Sequence, residues 1–203
     1  MKSGVGPHFP APLDTPADLD RLDAPDIDAT LGHVFDALTE TRMQLNGRVP
    51  LIGFCGAPWT LMAYMIQGGG SKNFKKARAW LYQHPQASHD LLQRITDVLI
   101  TYLRGQIEAG AQLVQVFDSW AGLLGPDTFQ SVGLPYLRQI AKALKASHPH
   151  TPSIVFAKGA PYALEALADT PFDVIALDWT MDPREARAIV GDRAVLQGNL
   201  DPC

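Results

Sequence analysis

The chain has 203 residues, 46% of them apolar and 19% charged, with a formal net charge of -4. That composition suits a globular protein with one real core. The acidic balance gives no general attraction to nucleic acid or to an anionic membrane surface, so an anionic ligand would need locally placed positive charge.

Residues 1–26 are rich in Pro, Asp and Gly without a period and are expected to form an extended surface segment. From Ile27 onward, Leu31, Val34, Phe35, Leu38, Met43 and Leu45 recur at helical spacing until Asn46-Gly47 supplies a stop. VPLIGFC, residues 49–55, has the apolar, β-branched character of a short strand buried on both faces. Pro58 then stands where a helix begins, the position at which its missing N–H does least harm. Gly68, Gly69 and Gly70 end that helix in a tight loop, with Ser71 and Asn73 as candidate caps of the next one.

Phe74, Ala77, Trp80 and Leu81 form one apolar helical face, and a longer helix runs from Pro85 to a stop at Gly110. QLVQVFD is the next strand, and PDTFQSVGLPYLRQIAKALKASHP the next helix, interrupted near Pro135. SIVFA, FDVIALDW and AVLQGN read as further strands, alternating with the helices PYALEALADT and DPREARAIVG.

Five strands alternating with helices predict a parallel sheet with crossover helices. No strand is followed by GxGxxG or GxxxxGK[ST], which weighs against the usual open-sheet nucleotide binders. Instead FCGAPW, VFDSWAG, FAKGA, ALDWT and QGNLDP each place polar residues or glycine just after a strand, as the mouth of a barrel does. Alternation by itself does not separate a closed barrel from an open sheet; these strand-end residues add weight to an α/β fold of the (β/α)8 TIM-barrel type, which is the expected class. A complete barrel takes about 250 residues and eight strands. With about five strands present, residues 1–203 are expected to be a single partial barrel domain, cut at both ends.

Two cysteines, Cys55 in an apolar run and Cys203 at the end, are too few for a disulfide framework or a four-ligand metal site. No apolar stretch approaches the roughly 18 residues of a membrane span, and MKSGVGPHFPAP lacks a signal-peptide core. A cytoplasmic protein without membrane partners is expected.

At GFCGAPWTLMAYMIQGGGSKNF, QVFDSWAG, FAKGA, LDWT and LQGNLDP, several separate motifs in one order, the sequence resembles the uroporphyrinogen decarboxylases of haem biosynthesis. The resemblance implies a barrel, usually a homodimer, that removes carboxyl groups from the acetate side chains of a tetrapyrrole without metal or organic cofactor. It implies that Tyr64 is a catalytic and substrate-binding tyrosine and that Ser119 is a substrate-binding hydroxyl. The family's catalytic aspartate, its N-terminal arginine pair and a C-terminal histidine have no matching motif here, so the isolated chain is expected to be inactive.

Taken singly, these residues also have plainer explanations. A tyrosine on an apolar helix is usually a core residue with its hydroxyl satisfied, and a serine at a strand end is usually a turn residue. The resemblance implies that Asp118 supports the site rather than being its central carboxylate; Lys158 and Asp178, just past strands, are open either to a role at the site or to a mutual ion pair on the barrel rim. Lys72, Lys75, Lys76 and Arg78 fit either a lid that gathers a polyanion or a solvated helix face. Two rivals to the decarboxylase are a non-catalytic interaction subunit and a corrinoid-dependent methyltransferase of the same superfamily. The methyltransferase needs a zinc-binding His-x-Cys pair, and neither Cys55 nor Cys203 has a histidine two residues before it.

Overall fold

Asp26 starts the first long helix by accepting the amide of Ala29 at 3.1 Å, and α1 (Ile27–Leu45) closes on Asn46 in the left-handed conformation. The strands are β1 (Ile52–Gly56), β2 (Leu113–Asp118), β3 (Ser153–Ala157), β4 (Val174–Ala176) and β5 (Val195–Gln197). In this computed structural model, which describes residues 8–201 and 203, they pair in parallel in the order β1-β2-β3-β4-β5. Each crossover steps the same way, which builds the wall of a barrel; an open doubly wound sheet would reverse its order at a switch point.

Between β1 and β2 the chain passes through α2 (Pro58–Gln67), α3 (Lys75–Gln83) and the long α4 (Pro85–Glu108). A short turn of helix α5 (Pro126–Thr128) leads to α6 (Leu134–Ser147), and α7 (Leu164–Ala168) and α8 (Pro183–Val190) complete the outer layer. Among the described residues no helix is long and apolar enough to cross a membrane.

Register decides what the sheet buries. Cys55, Val116, Val155 and Ile175 are successive partners, so their side chains share the face that packs beneath the helices, and all four are buried. The opposite face carries Ile52 and Phe54, which are 41% and 61% exposed. The expectation that β1 is buried on both faces is thus corrected: its inner side has no second layer over it among the described residues.

Two further departures, and the interruption expected near Pro135, have local causes. Residues 8–26 are not simply extended. A 3-10 turn at Pro16–Arg21, closed by a reciprocal Thr15/Asp18 cap, fixes Leu13 and Leu19 in the core. Residues 1–7 of that segment lie outside the described residues. The helix expected from residue 126 is broken by a π turn over Phe129–Gly133. Pro135 has no N–H to continue the ladder, so the spacing loosens before it and α6 starts afresh with proline in its first turn. Finally, β4 is shorter than FDVIALDW: past Ala176 the chain turns, and Asp178 accepts the amide of Gly159 from the loop after β3 and that of Thr180 from its own loop.

Candidate active site at the strand ends

The chain leaves β1 and enters α2 across one residue, Ala57, with Pro58 in the first helical position. That tight turn sets four residues of the β1 loop against four at the end of β2. The amide of Ala57 donates to the carbonyl of Phe117 at 2.8 Å. The Thr60 hydroxyl donates to Oδ1 of Asp118 at 2.8 Å, and the indole N–H of Trp59 donates to the carbonyl of Trp120 at 3.1 Å. Residues 57–60 are therefore laced to residues 117–120.

Tyr64 lies one helical turn beyond Thr60, on the same side of α2. Its ring is half-buried and meets Phe74 edge-on at 5.2 Å and Trp120 at 6.4 Å, while Phe74 and Trp120 are 4.6 Å apart. Trp120 directly follows Ser119, which is half-buried at the end of β2. The two residues singled out in the sequence thus belong to one end of the sheet, joined through Trp120.

The glycine run is held from several sides. Gly68 takes the left-handed conformation that ends α2, at φ +86°, and its carbonyl accepts the amide of Phe9 at 2.9 Å. Gln67 Oε1 accepts the amide of Lys76, in the first turn of α3, at 3.2 Å, and Ser71 Oγ accepts that of Phe74 at 3.2 Å, so Ser71 holds the residue before α3 and neither Ser71 nor Asn73 is its N-cap. Lys76 pairs with Asp14, whereas Lys72, Lys75 and Arg78 are exposed. Phe74 is fully buried with a left-handed backbone at φ +44°, which its aromatic contacts and the Ser71 hydrogen bond together sustain.

Asp118 is the most unusual charge-bearing group in this region. It is fully buried, Oδ1 is taken by Thr60, and Oδ2 has no hydrogen-bond partner among the described residues. Burial pushes its carboxyl up to about 7, against the opposing pull of the Thr60 hydroxyl and the Trp120 amide. The start of α2 is a favourable place for a carboxyl group; the one that meets its first turn is the protein's own.

The loops after β2 and β3 are in backbone contact. Gly122 donates to the carbonyl of Lys158 at 2.9 Å, and a Cβ on Gly122 would stand 2.6 Å from the carbonyl oxygen of Gly159. The Tyr162 hydroxyl donates to the carbonyls of Ala121, at 3.0 Å, and Leu124. Burial, with the Asp118 charge second, pushes that phenol up to about 12.

At the ends of β3 and β4, Asp178 and Lys158 take separate partners. Asp178 accepts the amide of Gly159 at 2.6 Å and the amide and hydroxyl of Thr180 at 2.9 and 2.5 Å. Lys158 lies 5.3 Å from the ring centre of Trp179 and forms no ion pair with Asp178. Partial burial raises the Asp178 carboxyl, but the Thr180 and Gly159 hydrogen bonds and the Lys158 charge outweigh it and hold the group below its ordinary value.

The inner face adds a feature that the sequence reading did not single out. Phe54 and Phe117 meet edge-on with centres 5.9 Å apart, and Phe117 and Phe156 repeat the contact at 6.0 Å. Phe54 is 61% exposed. An aromatic wall ending in a polar rim suits a flat, apolar ring system with polar substituents. Its signal was a phenylalanine near the end of each of three strand runs, but the shared face appears only once register is known. Among the described residues no three His, Cys, Asp or Glu side chains gather as a metal site. Burial also pushes the Cys55 thiol far up, into its neutral form.

The family model described as "Uroporphyrinogen decarboxylase (URO-D)" matches residues 1–203. A uroporphyrinogen decarboxylase from Salinibacter ruber is 65% identical over the whole chain, and the human one is 54% identical. The chain spans 57% of the length of each of these curated relatives. Among solved structures, a methyltransferase from Methanosarcina mazei superposes with a TM-score of 0.79 at 21% identity, covering 95% of this chain and 55% of that one. At that identity the likeness shows the fold alone.

Proposed function

Since the chain belongs to the uroporphyrinogen decarboxylase family, we propose that it forms one side of a pocket in which uroporphyrinogen III loses the carboxyl groups of its acetate side chains to give coproporphyrinogen III. The observation that carries this is the aromatic inner face, Phe54, Phe117 and Phe156, opening beside the end of the sheet that holds Tyr64 and Ser119. Pyrrole rings lie against such a wall while their carboxylates reach the polar rim.

In each round a pyrrole ring is protonated, the bond from the side-chain CH2 to the carboxylate breaks, and its electron pair flows into the cationic ring. A proton then adds to the exocyclic carbon and the ring gives up the proton it had taken, leaving a neutral pyrrole with a methyl group, and CO2. The Tyr64 hydroxyl acts on the substrate where charge changes, and the Ser119 hydroxyl holds a substrate polar group; fixed dipoles in a water-poor cleft favour the transition state. A homodimeric assembly and a cytoplasmic setting accompany this role, as the family resemblance implies.

Anaerobic assay of the chain completed with the flanking segments of the Salinibacter relative tests the assignment. Conversion of uroporphyrinogen to coproporphyrinogen is expected, and Tyr64→Phe should lower turnover by at least about tenfold at nearly unchanged thermal stability. A completed protein without turnover would overturn the function. Equal losses of turnover and stability in the variant would remove Tyr64 from the chemistry.

A further inference from the structure

The lacing between the β1 and β2 loops joins the two elements that carry Tyr64 and Ser119. Two of its three bonds have counterparts in any barrel or core: an amide to a neighbouring strand's carbonyl, and a buried indole finding an acceptor. The third is different. A threonine hydroxyl in the first turn of α2 meets a fully buried carboxyl group at the last residue of β2, and these partners are 58 positions apart in sequence. An apolar pair would fill this place without burying an acid whose second oxygen finds no partner among the described residues.

Sequence adjacency gives the pair its leverage. Asp118 precedes Ser119 directly, and Thr60 precedes Tyr64 by one turn on the same helix face. Fixing Thr60 to Asp118 therefore fixes the rotation of α2 about its axis relative to the end of β2. Tyr64 then presents its ring to Trp120 in one orientation, with Phe74 packed against both. A small rotation of α2 would swing the Tyr64 hydroxyl, at the end of a long side chain, by much more than the backbone moved.

From this geometry we infer that Thr60 and Asp118 are positioning residues, a couple that sets the Tyr64 hydroxyl relative to Ser119 without touching substrate. The inference rests on the substrate-facing roles proposed for Tyr64 and Ser119. Misplacing a reacting group by about 1 Å is enough to cost about a hundredfold in rate. Because the couple acts on orientation, its loss falls on kcat rather than on KM.

Thr60→Val keeps the shape and removes the hydroxyl; Thr60→Ser keeps the hydroxyl. In the 203-residue chain, hydrogen exchange of the Trp59 indole and the Ala57 amide reads the lacing without any substrate. In the completed protein, kcat and KM for uroporphyrinogen read its consequence. Thr60→Val is expected to speed both exchanges at least about tenfold and to lower kcat at least about tenfold, with KM within about threefold. Thr60→Ser should stay within about twofold of the parent in both. Unchanged exchange in Thr60→Val, or equal behaviour of the two variants, overturns the couple. Faster exchange with unchanged kcat overturns its effect on Tyr64. Should the completed parent protein fail to turn over uroporphyrinogen, the proposed function falls, while the exchange rates still decide whether Thr60 and Asp118 hold the loops together.

Discussion

Two aspartates stand at the ends of β2 and β4, strands of one sheet separated by β3, and meet opposite fates. Asp118 closes β2, is fully buried, and has one strong donor, the Thr60 hydroxyl. Asp178 lies just past β4, half-buried, and accepts the Gly159 amide and both the amide and the hydroxyl of Thr180. Burial penalises the charged form at both positions and donors oppose it at both, but they outweigh it at only one. Asp118 is raised to about 7 and Asp178 is held below its ordinary value. Residue type and place on a barrel therefore do not fix protonation; the count of hydrogen-bond donors against the loss of water does.

The largest effect separating the two concerns pH. The native chain keeps the Asp118 proton at pH values where the unfolded chain, with a carboxyl near 3.9, has released it. Its stabilising contribution is complete below the unfolded value and is lost as pH rises through about 7. Between these limits the stability of the native chain falls by up to about 1.4 kcal/mol per pH unit on this account. Asp118→Asn cannot titrate. Its thermal midpoint relative to the parent should therefore improve steadily between about pH 4.5 and about pH 7.5. Parallel midpoint curves for parent and variant would show that Asp118 titrates in its ordinary range and would erase the contrast with Asp178.

That contrast marks the border of what the sequence made legible. Alternating apolar runs and helical periods located all five strands and the parallel sheet, because each depends on residues a few positions apart. Tyr64 and Ser119 stood out through the motifs around them. The Thr60–Asp118 bond links residues 58 apart, so no local spacing announces it. Phe54 looked like a core residue because its neighbours are apolar, and only the register shows that it faces the open side with Phe117 and Phe156. Phe74 escaped for another reason. Three glycines stand before it, yet after Gly68 the next left-handed residue is the phenylalanine, held there by packing that composition does not reveal.

The next effect in size tests whether the two aspartate regions are mechanically one. Gly122, four residues past Asp118, packs its backbone on Gly159, whose amide donates to Asp178. A methyl group on Gly122 would stand 2.6 Å from a carbonyl oxygen that belongs to backbone and so has no rotamer through which to retreat. Gly122→Ala is expected to destabilise by about 1–3 kcal/mol in denaturant unfolding. Gly125→Ala, with nothing within 4 Å of the added methyl, should stay within about 0.5 kcal/mol of the parent. Equal midpoints for the two variants would mean that the loops part without resistance and that the β2 and β3 ends respond independently.

The smallest effect belongs to Asp178, and its sign is opposite to that of Asp118. A carboxyl held low in the native chain contributes stability above the unfolded value, near 3.9, and loses it as acid protonates the folded form. Asp178→Asn retains an oxygen that accepts one of the donors but leaves the others with a poorer partner or with water. Since the group is half-exposed, water replaces much of what is lost, and the cost near neutral pH should be on the order of 1 kcal/mol or less. The variant should nevertheless lose less than the parent when the pH drops below about 4, so that their unfolding midpoints converge in acid. Midpoints that diverge there would place the proton on the native Asp178 more readily than on the unfolded chain, and the donors from Gly159 and Thr180 would not be sufficient to keep it charged.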